Sequence, residues 1–429
     1  MMARPTSELR RAAASLFIKA VSSSLEKACR LLLVFVAAPV LGVTSFGTFQ
    51  FASTVASLLT LCTEFGLGTW TTRALARDIE RARSIVTAGF RFRTAAIVPY
   101  VLLLGSFAFA QAPGDSRRVC ILLGLAALAG SFVDYVGAIL RGYEDFRREA
   151  AANALRGVLT LTAGLWALHL LGSLVGFAAG LAIGATASAG LGLLLLRRQP
   201  RVVPGDTTPP STFDSTTARI AIGEAIPMWL AAVLSTLYFR SDVILVRYFC
   251  GNSEVGAYAA AYRVFEASTL LPSTIMAVAF PRLARDHSTL PSHPQPRWTR
   301  LEGRLVGLLV GLGVLAGVIM YVASDRATDW VFGIGFARSA FSLRVLALDV
   351  PVLFLNFALA PFLIARGKER RYLVFAALLL VLNVGINLVT VPRMGGAGAA
   401  WATLATDVVR AIGCVAVLGV PRAPRPSLF

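Results

Sequence analysis

Charge is what this sequence has least of. Only 15% of its 429 residues are Asp, Glu, Lys or Arg, where a soluble chain carries about 25%. That shortage, set beside 56% hydrophobic residues and a mean hydropathy of +0.70, excludes an ordinary soluble globule. Histidine is scarce and dispersed, at His169, His287 and His293, so no Cys/His spacing suggests a metal. The five cysteines, Cys29, Cys62, Cys120, Cys250 and Cys414, are scattered and mostly fall within apolar runs. There a thiol is a small buried apolar group. Also missing are a Walker loop, a nucleophile elbow and any stretch polar enough for a large domain outside the membrane.

What the chain does have is apolar length. Runs of about 20 residues, enough to cross a hydrocarbon core of roughly 30 Å, recur throughout. Twelve candidate spans fall near 14–41, 47–72, 86–110, 119–140, 151–171, 174–196, 220–247, 255–281, 304–323, 340–365, 372–391 and 397–419. The segments between them alternate in charge. Basic connections, among them Arg73 to Arg93, Arg141 to Arg156, Arg197 to Arg219 and Arg282 to Arg304, together with both termini hold 28 Lys and Arg. The intervening ones hold five: Arg117, Arg118, Arg326, Arg338 and Arg393. The positive-inside rule then places both termini in the cytoplasm and requires an even number of crossings. Most of the net charge of +18 is therefore topology information, and no nucleic-acid partner is expected. A cleavable signal peptide is not expected either, because the first apolar segment is long, internally charged and without a small-x-small site.

The two halves resemble each other. Gly42/Gly251, Gly47/Gly256 and Phe49/Tyr258 align at one offset, 209 residues. Leu75-Ala-Arg-Asp78 matches Leu283-Ala-Arg-Asp286, and Arg141-Gly-Tyr-Glu144 matches Arg366-Gly-Lys-Glu369. The expected architecture is an all-α polytopic membrane protein of about twelve transmembrane helices in two pseudo-symmetric six-helix lobes. We expect an N-terminal lobe over 1–198, a Pro/Ser/Thr-rich cytoplasmic linker over 199–219, and a C-terminal lobe over 220–429 ending in a short cytoplasmic tail.

Against that apolar background a few charges are anomalous. Glu26, Lys27 and Arg30 lie inside the first span, where an ion at the bilayer centre costs roughly 3 kcal/mol. At 100° per residue, Lys19, Ser23, Glu26, Lys27 and Arg30 share one helical face. Span 2 carries Ser53, Ser57, Thr60 and Glu64 at spacings that its repeat partner, span 8, reproduces in Tyr262, Glu266, Thr269 and Ser273, with Arg263 alongside. Span 7 has Glu224, Ser235 and Asp242 on one face, with Arg240 and Arg247 nearly opposite. Lipid cannot solvate such faces, so they are expected to meet one another or line a hydrated cavity between the lobes. Static ties between helices are the competing explanation. They are the first expectation for Arg344, Asp349, Asp407 and Arg410, and interhelical hydrogen bonding is expected for Asp134, Asn383 and Asn387. Lys19 and Arg247 lie near the water boundary, where snorkelling accounts for them.

The block Tyr238-Phe-Arg-Ser-Asp-Val-Ile-Leu-Val-Arg247, followed by Val255-Gly-Ala-Tyr-Ala-Ala-Ala-Tyr262 and Phe280-Pro-Arg-Leu283, carries a resemblance. With the twelve spans in two halves, it resembles the Wzx-like polysaccharide-biosynthesis flippases of the multidrug/oligosaccharidyl-lipid/polysaccharide exporter superfamily, whose fold is MATE-like. The resemblance implies a bacterial or archaeal cytoplasmic membrane and a polyprenyl-pyrophosphate-linked oligosaccharide as cargo, moved by alternating access for O-antigen or exopolysaccharide assembly. Other polysaccharide-assembly proteins are implied as partners, beside membrane lipid. Cationic Lys27, Arg30, Arg240 and Arg263 suit the pyrophosphate, and Ser57, Thr60, Tyr258 and Tyr262 suit the sugars. No cofactor is expected. Glu26, Glu64, Asp242 and Glu266 are the candidates for a coupling proton or sodium ion. A cation-coupled multidrug antiporter of the same architecture stays open, although its cavity would be acidic and aromatic. A glycan polymerase or ligase would need a substantial outward loop with catalytic groups. The longest here, Ser324 to Ser339, offers only Asp325, Arg326 and Asp329.

Overall fold

A computed structural model describes residues 5–111, 113–199, 215–288, 300–365 and 369–419. Most of the linker expected over 199–219 lies outside them, as do 289–299. Among the described residues there is no strand. Twelve helices follow in order: α1 (Pro5–Glu64), α2 (Leu67–Arg77), α3 (Ala82–Ala110), α4 (Asp115–Gly142), α5 (Phe146–Leu171), α6 (Leu174–Arg197), α7 (Ser215–Ser268), α8 (Leu270–Ser288), α9 (Arg300–Phe332), α10 (Ser339–Ala365), α11 (Glu369–Met394) and α12 (Gly396–Gly419). A 3-10 turn at Ile334–Phe336 follows α9.

Ten stretches are long and apolar enough to cross a membrane, and two have double length: Val21–Arg77 with 57 residues and Trp229–Ala279 with 51. One crossing needs about 20 residues. Each long stretch is divided by one glycine in a backbone state closed to other residues, Gly42 (φ 74°, ψ 163°) and Gly251 (φ 84°, ψ −178°). Counting both sides of each glycine gives the expected twelve crossings. The same two glycines were paired by the internal repeat, so the two halves turn at equivalent residues.

Each half has a second interruption, though not at equivalent residues or with the same backbone. Phe65 (φ 40°) and Gly66 (φ 69°) adopt left-handed backbone between α1 and α2, and α7 gives way to α8 at Thr269, whose amide bonds to the Glu266 carbonyl. Leu75 beyond the first interruption and Leu283 beyond the second are both 1% exposed.

Helices approach closely where small residues allow it. A Cβ on Gly180 or Gly184 of α6 would come within 2.4 Å of the Ala163 carbonyl oxygen or 2.6 Å of that of Leu159, both on α5. In α9 the same four-residue spacing recurs at Gly313 and Gly317, whose Cβ atoms would meet Pro351 Cα at 2.9 Å and the Ala347 oxygen at 2.7 Å on α10. Membrane helices associate by such backbone contact, since lipid supplies no hydrophobic drive between them.

The chain divides into two compact units, residues 1–240 and 241–429. The first includes the start of α7, fastened at the α1–α2 interruption. Trp229 stacks on Phe65 (4.8 Å between centroids, 24°) and donates its indole N–H to the Leu61 carbonyl at 2.9 Å. Gly66 leaves room there for the Ala225 carbonyl, which a Cβ would approach to 2.5 Å.

Candidate functional site

In the first unit, α1 carries Glu26, Lys27 and Arg30 within the first long apolar stretch. Arg30 lies twelve residues before Gly42, about 18 Å of helix rise. Glu26 is held by Arg156 of α5, whose Nη2 donates to Glu26 Oε1 at 2.6 Å. The same guanidinium donates through Nη1 to Asp134 Oδ1 of α4 at 2.7 Å, and more weakly to the Gly130 carbonyl at 3.4 Å. Backbone proximity makes this reach possible, because a Cβ on Gly157 would lie 3.0 Å from Glu26 Cα.

This arrangement corrects one expectation and bears out another. Arg156 was counted with the basic connection running to Arg141, but α5 starts at Phe146, capped by the Asp145 carboxylate on the Arg148 amide at 3.1 Å. Arg156 is therefore ten residues inside the span, about 15 Å along it. Two carboxylates neutralise it there, so it has no need to snorkel to the interface. Asp134 makes the interhelical hydrogen bond expected of it, and Arg156 makes that bond an ion pair as well.

Lys27 and Arg30 differ from everything around them. Both are exposed, and among the described residues neither makes a hydrogen bond or ion pair.

A second buried cation lies nearby. Arg93 of α3 was also counted with a cytoplasmic connection. It is 1% exposed, with its guanidinium carbon 4.9 Å from the Tyr135 ring centroid and 5.5 Å from that of Phe132. Among the described residues its Nε and Nη2 have no hydrogen-bond partner. Glu64 at the end of α1 and Asp134 lie within its electrostatic reach, so Asp134 joins the pair around Arg156 to the pair around Arg93. Tyr135 bonds Thr71 at 3.3 Å and has Phe90 edge-on at 5.1 Å.

The hydroxyl stripe of span 2 is satisfied along its own helix. Ser57 donates to the Thr54 carbonyl at 2.7 Å, Thr60 to that of Ser57 at 2.7 Å, and Thr63 to that of Thr60 at 2.8 Å. Thr60 is buried and Ser57 half-buried.

The second unit holds the remaining candidates except Arg240, which belongs to the first, is half-buried and has a partner of its own. Tyr258 is fully buried and donates its hydroxyl to Asp242, whose other oxygen accepts from the Val243 amide at 2.7 Å. Arg263 and Glu266 pair at 2.5 Å. Tyr262 lies between the rings of Tyr258 and Phe265, at 5.9 and 5.7 Å. Asn383 of α11 accepts from Ser241 (3.4 Å) and Asn387 (3.0 Å) and donates to Thr406 of α12 (3.3 Å), the interhelical role expected of it. Arg410 pairs with Asp407 at 3.5 Å. Arg344 reaches Asp325 and the Ser324 hydroxyl rather than Asp349. No cluster of metal-ligating side chains occurs among the described residues.

Sequence reasoning missed Arg93 and Arg156 because both stood next to basic loops. The available signal was distance from the helix start. Arg156 is eleven residues past the Asp145 cap, too deep in the helix for a loop residue.

A protein-family model described as "Polysaccharide biosynthesis protein" matches residues 12–287. No curated protein matches significantly. Solved structures are similar over nearly the whole chain. The lipid II flippase MurJ in an inward closed conformation superposes with TM-score 0.74 at 11% identity, covering 94% of this chain and 88% of that one. An inward-facing multidrug resistance MATE family transporter of the MOP superfamily gives 0.67 at 16% identity, covering 93% of each chain. A MOP superfamily transporter from Pyrococcus furiosus, titled as having a binding pocket of reverse polarity, gives 0.66 at 14% identity and 94% of each chain. The fold of this multi-pass membrane protein is thus the two-lobed MATE/MurJ transporter fold.

Proposed function

Since the chain belongs to the polysaccharide biosynthesis protein family, we propose that it flips a polyprenyl-pyrophosphate-linked oligosaccharide across the membrane by alternating access. The observation that carries this reading is the state of Lys27 and Arg30, two exposed cations of the first apolar stretch with no partner among the described residues. A bilayer does not tolerate such charges unless water or an anion meets them. A lipid pyrophosphate is an anion already resident in the membrane, and charge-assisted hydrogen bonds from both cations would hold it. MurJ, a flippase of another lipid-linked cargo by its name, has the same fold, which supports the reading. Arg240 and Arg263 are proposed as later contacts for the headgroup. Arg263 would first have to leave Glu266.

Energy would come from an ion gradient or from removal of product outside. Of the proposed ion carriers Glu26, Glu64, Asp242 and Glu266, three are bonded: Glu26 by Arg156, Asp242 by Tyr258 and Glu266 by Arg263. Loading a proton or sodium ion on any of these three therefore requires a partner to leave, which ties ion entry to a change of conformation.

The test is translocation in proteoliposomes loaded with a lipid-linked oligosaccharide. Lys27→Ala/Arg30→Ala is expected to lower the rate by at least about a hundredfold, one decade for each lost charge-assisted contact. Full-rate flipping by the double variant would refute the anion-binding role. A multidrug antiporter is the second reading, favoured by the multidrug transporters of this fold and by Asp134, whose side chain is 54% exposed. Proton-driven uptake of a cationic dye by the same vesicles, with no flipping, would establish it instead.

A further inference from the structure

We propose that Arg156 is a positioning residue for the anion site, holding Glu26 and Asp134 so that neither carboxylate neutralises Lys27 or Arg30. The inference rests on the anion-binding reading above and identifies what keeps that site cationic.

Glu26 adjoins Lys27 and precedes Arg30 by four residues. That is the spacing, and the order, at which an acid and a base on one helix normally pair. They do not pair here. Glu26 Oε1 instead accepts from Arg156 Nη2 at 2.6 Å, across from α1 to α5. The other arm of the same guanidinium takes Asp134 Oδ1 at 2.7 Å, from α4. A planar fork with donors on both arms can serve acids on two helices at once, which an ammonium does poorly. Gly157 holds the geometry by letting the α1 backbone come to 3.0 Å of its Cβ position. Among the described residues, Arg93 of α3 and Glu64 of α1 also interact electrostatically with Asp134 and with each other.

The distribution of charge matters more than its sum. With Arg156 present, one cation satisfies two acids and two cations stay open. Without it, two acids and two cations share one small region, and the helical spacing favours their mutual pairing. An incoming phosphate would then have to displace an internal carboxylate.

The experiment measures binding of a sugar-free polyprenyl pyrophosphate to the purified full chain in nanodiscs, with melting temperature read in parallel. Arg156→Ala is expected to weaken binding by about tenfold or more, the equivalent of one charge-assisted contact. Adding Glu26→Gln to that variant should return most of the affinity, because an amide cannot neutralise Arg30. Arg156→Gln/Glu26→Gln/Asp134→Asn leaves no unpaired acid and should bind like the unsubstituted protein, which keeps the test available if Arg156→Ala alone folds poorly. Undiminished binding by Arg156→Ala, or weak binding by a folded triple variant, would overturn the proposal. Lys27→Ala/Arg30→Ala separates the two claims. If it binds the probe normally, the anion site itself is wrong; if it loses binding while Arg156→Ala does not, only the role of Arg156 falls.

Discussion

Gly89 shows how far single residues decide the packing around the charged cluster. It lies one helical turn before Arg93 on α3, and a Cβ there would stand 1.6 Å from the Tyr135 hydroxyl oxygen. The ring of Tyr135 in turn supports the Arg93 guanidinium. Gly89→Ala must therefore displace a fully buried tyrosine, an overpacking strain of about 1–3 kcal/mol. A lowered melting temperature in detergent is the expected result, partly relieved by Tyr135→Phe, which removes the closest atom and leaves the ring at 2.7 Å. No relief in the double variant would mean that the contact is not the source of strain. At this scale the sequence was readable for residues on regular helical faces. Lys27, Arg30 and Glu26 fall together as helical spacing requires. Arg93 and Arg156 were not readable, because their roles depend on where α3 and α5 begin and on acids from other helices. Which acid pairs with which base is likewise a tertiary fact: Glu26 could have taken Arg30 and took Arg156 instead.

At the scale of elements, the paired glycines are the clearest link between pattern and structure. Gly42 and Gly251 were matched by offset alone, and both adopt positive φ with extended ψ inside a long helical stretch. Among the described residues nothing lies within 4 Å of a Cβ placed on either one. Their constraint is therefore backbone strain alone, with no steric crowding. Gly42→Ala and Gly251→Ala should each cost about 1–3 kcal/mol and lower the melting temperature. Gly105→Ala, with equally open surroundings and ordinary helical backbone, should not. A Gly42→Ala protein as stable as Gly105→Ala would show that the joint tolerates a side chain. The spans themselves followed from apolar length, and so did their number. The interruption at Phe65–Gly66 did not, because its cause is Trp229 and Ala225 arriving from more than 150 residues away.

Across the whole molecule, the net charge of +18 is expected to set orientation. Asp78, between α2 and α3, adjoins Arg73, Arg77, Arg81 and Arg83, and should face the cytoplasm. Asp115, opening α4, should face outward. In a chain whose native cysteines have been replaced, Asp115→Cys is expected to react with an impermeant maleimide in intact cells. Asp78→Cys should react only after permeabilisation. The opposite pattern would invert the expected topology and, with it, the direction of the proposed flipping.

The glycine joints also limit how the protein can be handled. Where one residue connects two successive crossings there is no spare chain for a protease to cut, an antibody to grasp or a peptide tag to occupy. Reporters spliced in at 42 or 251 would break the direct link between two crossings, so probes for the face expected to lie outside belong at the Gly114 turn, where positive-φ backbone already interrupts the helices.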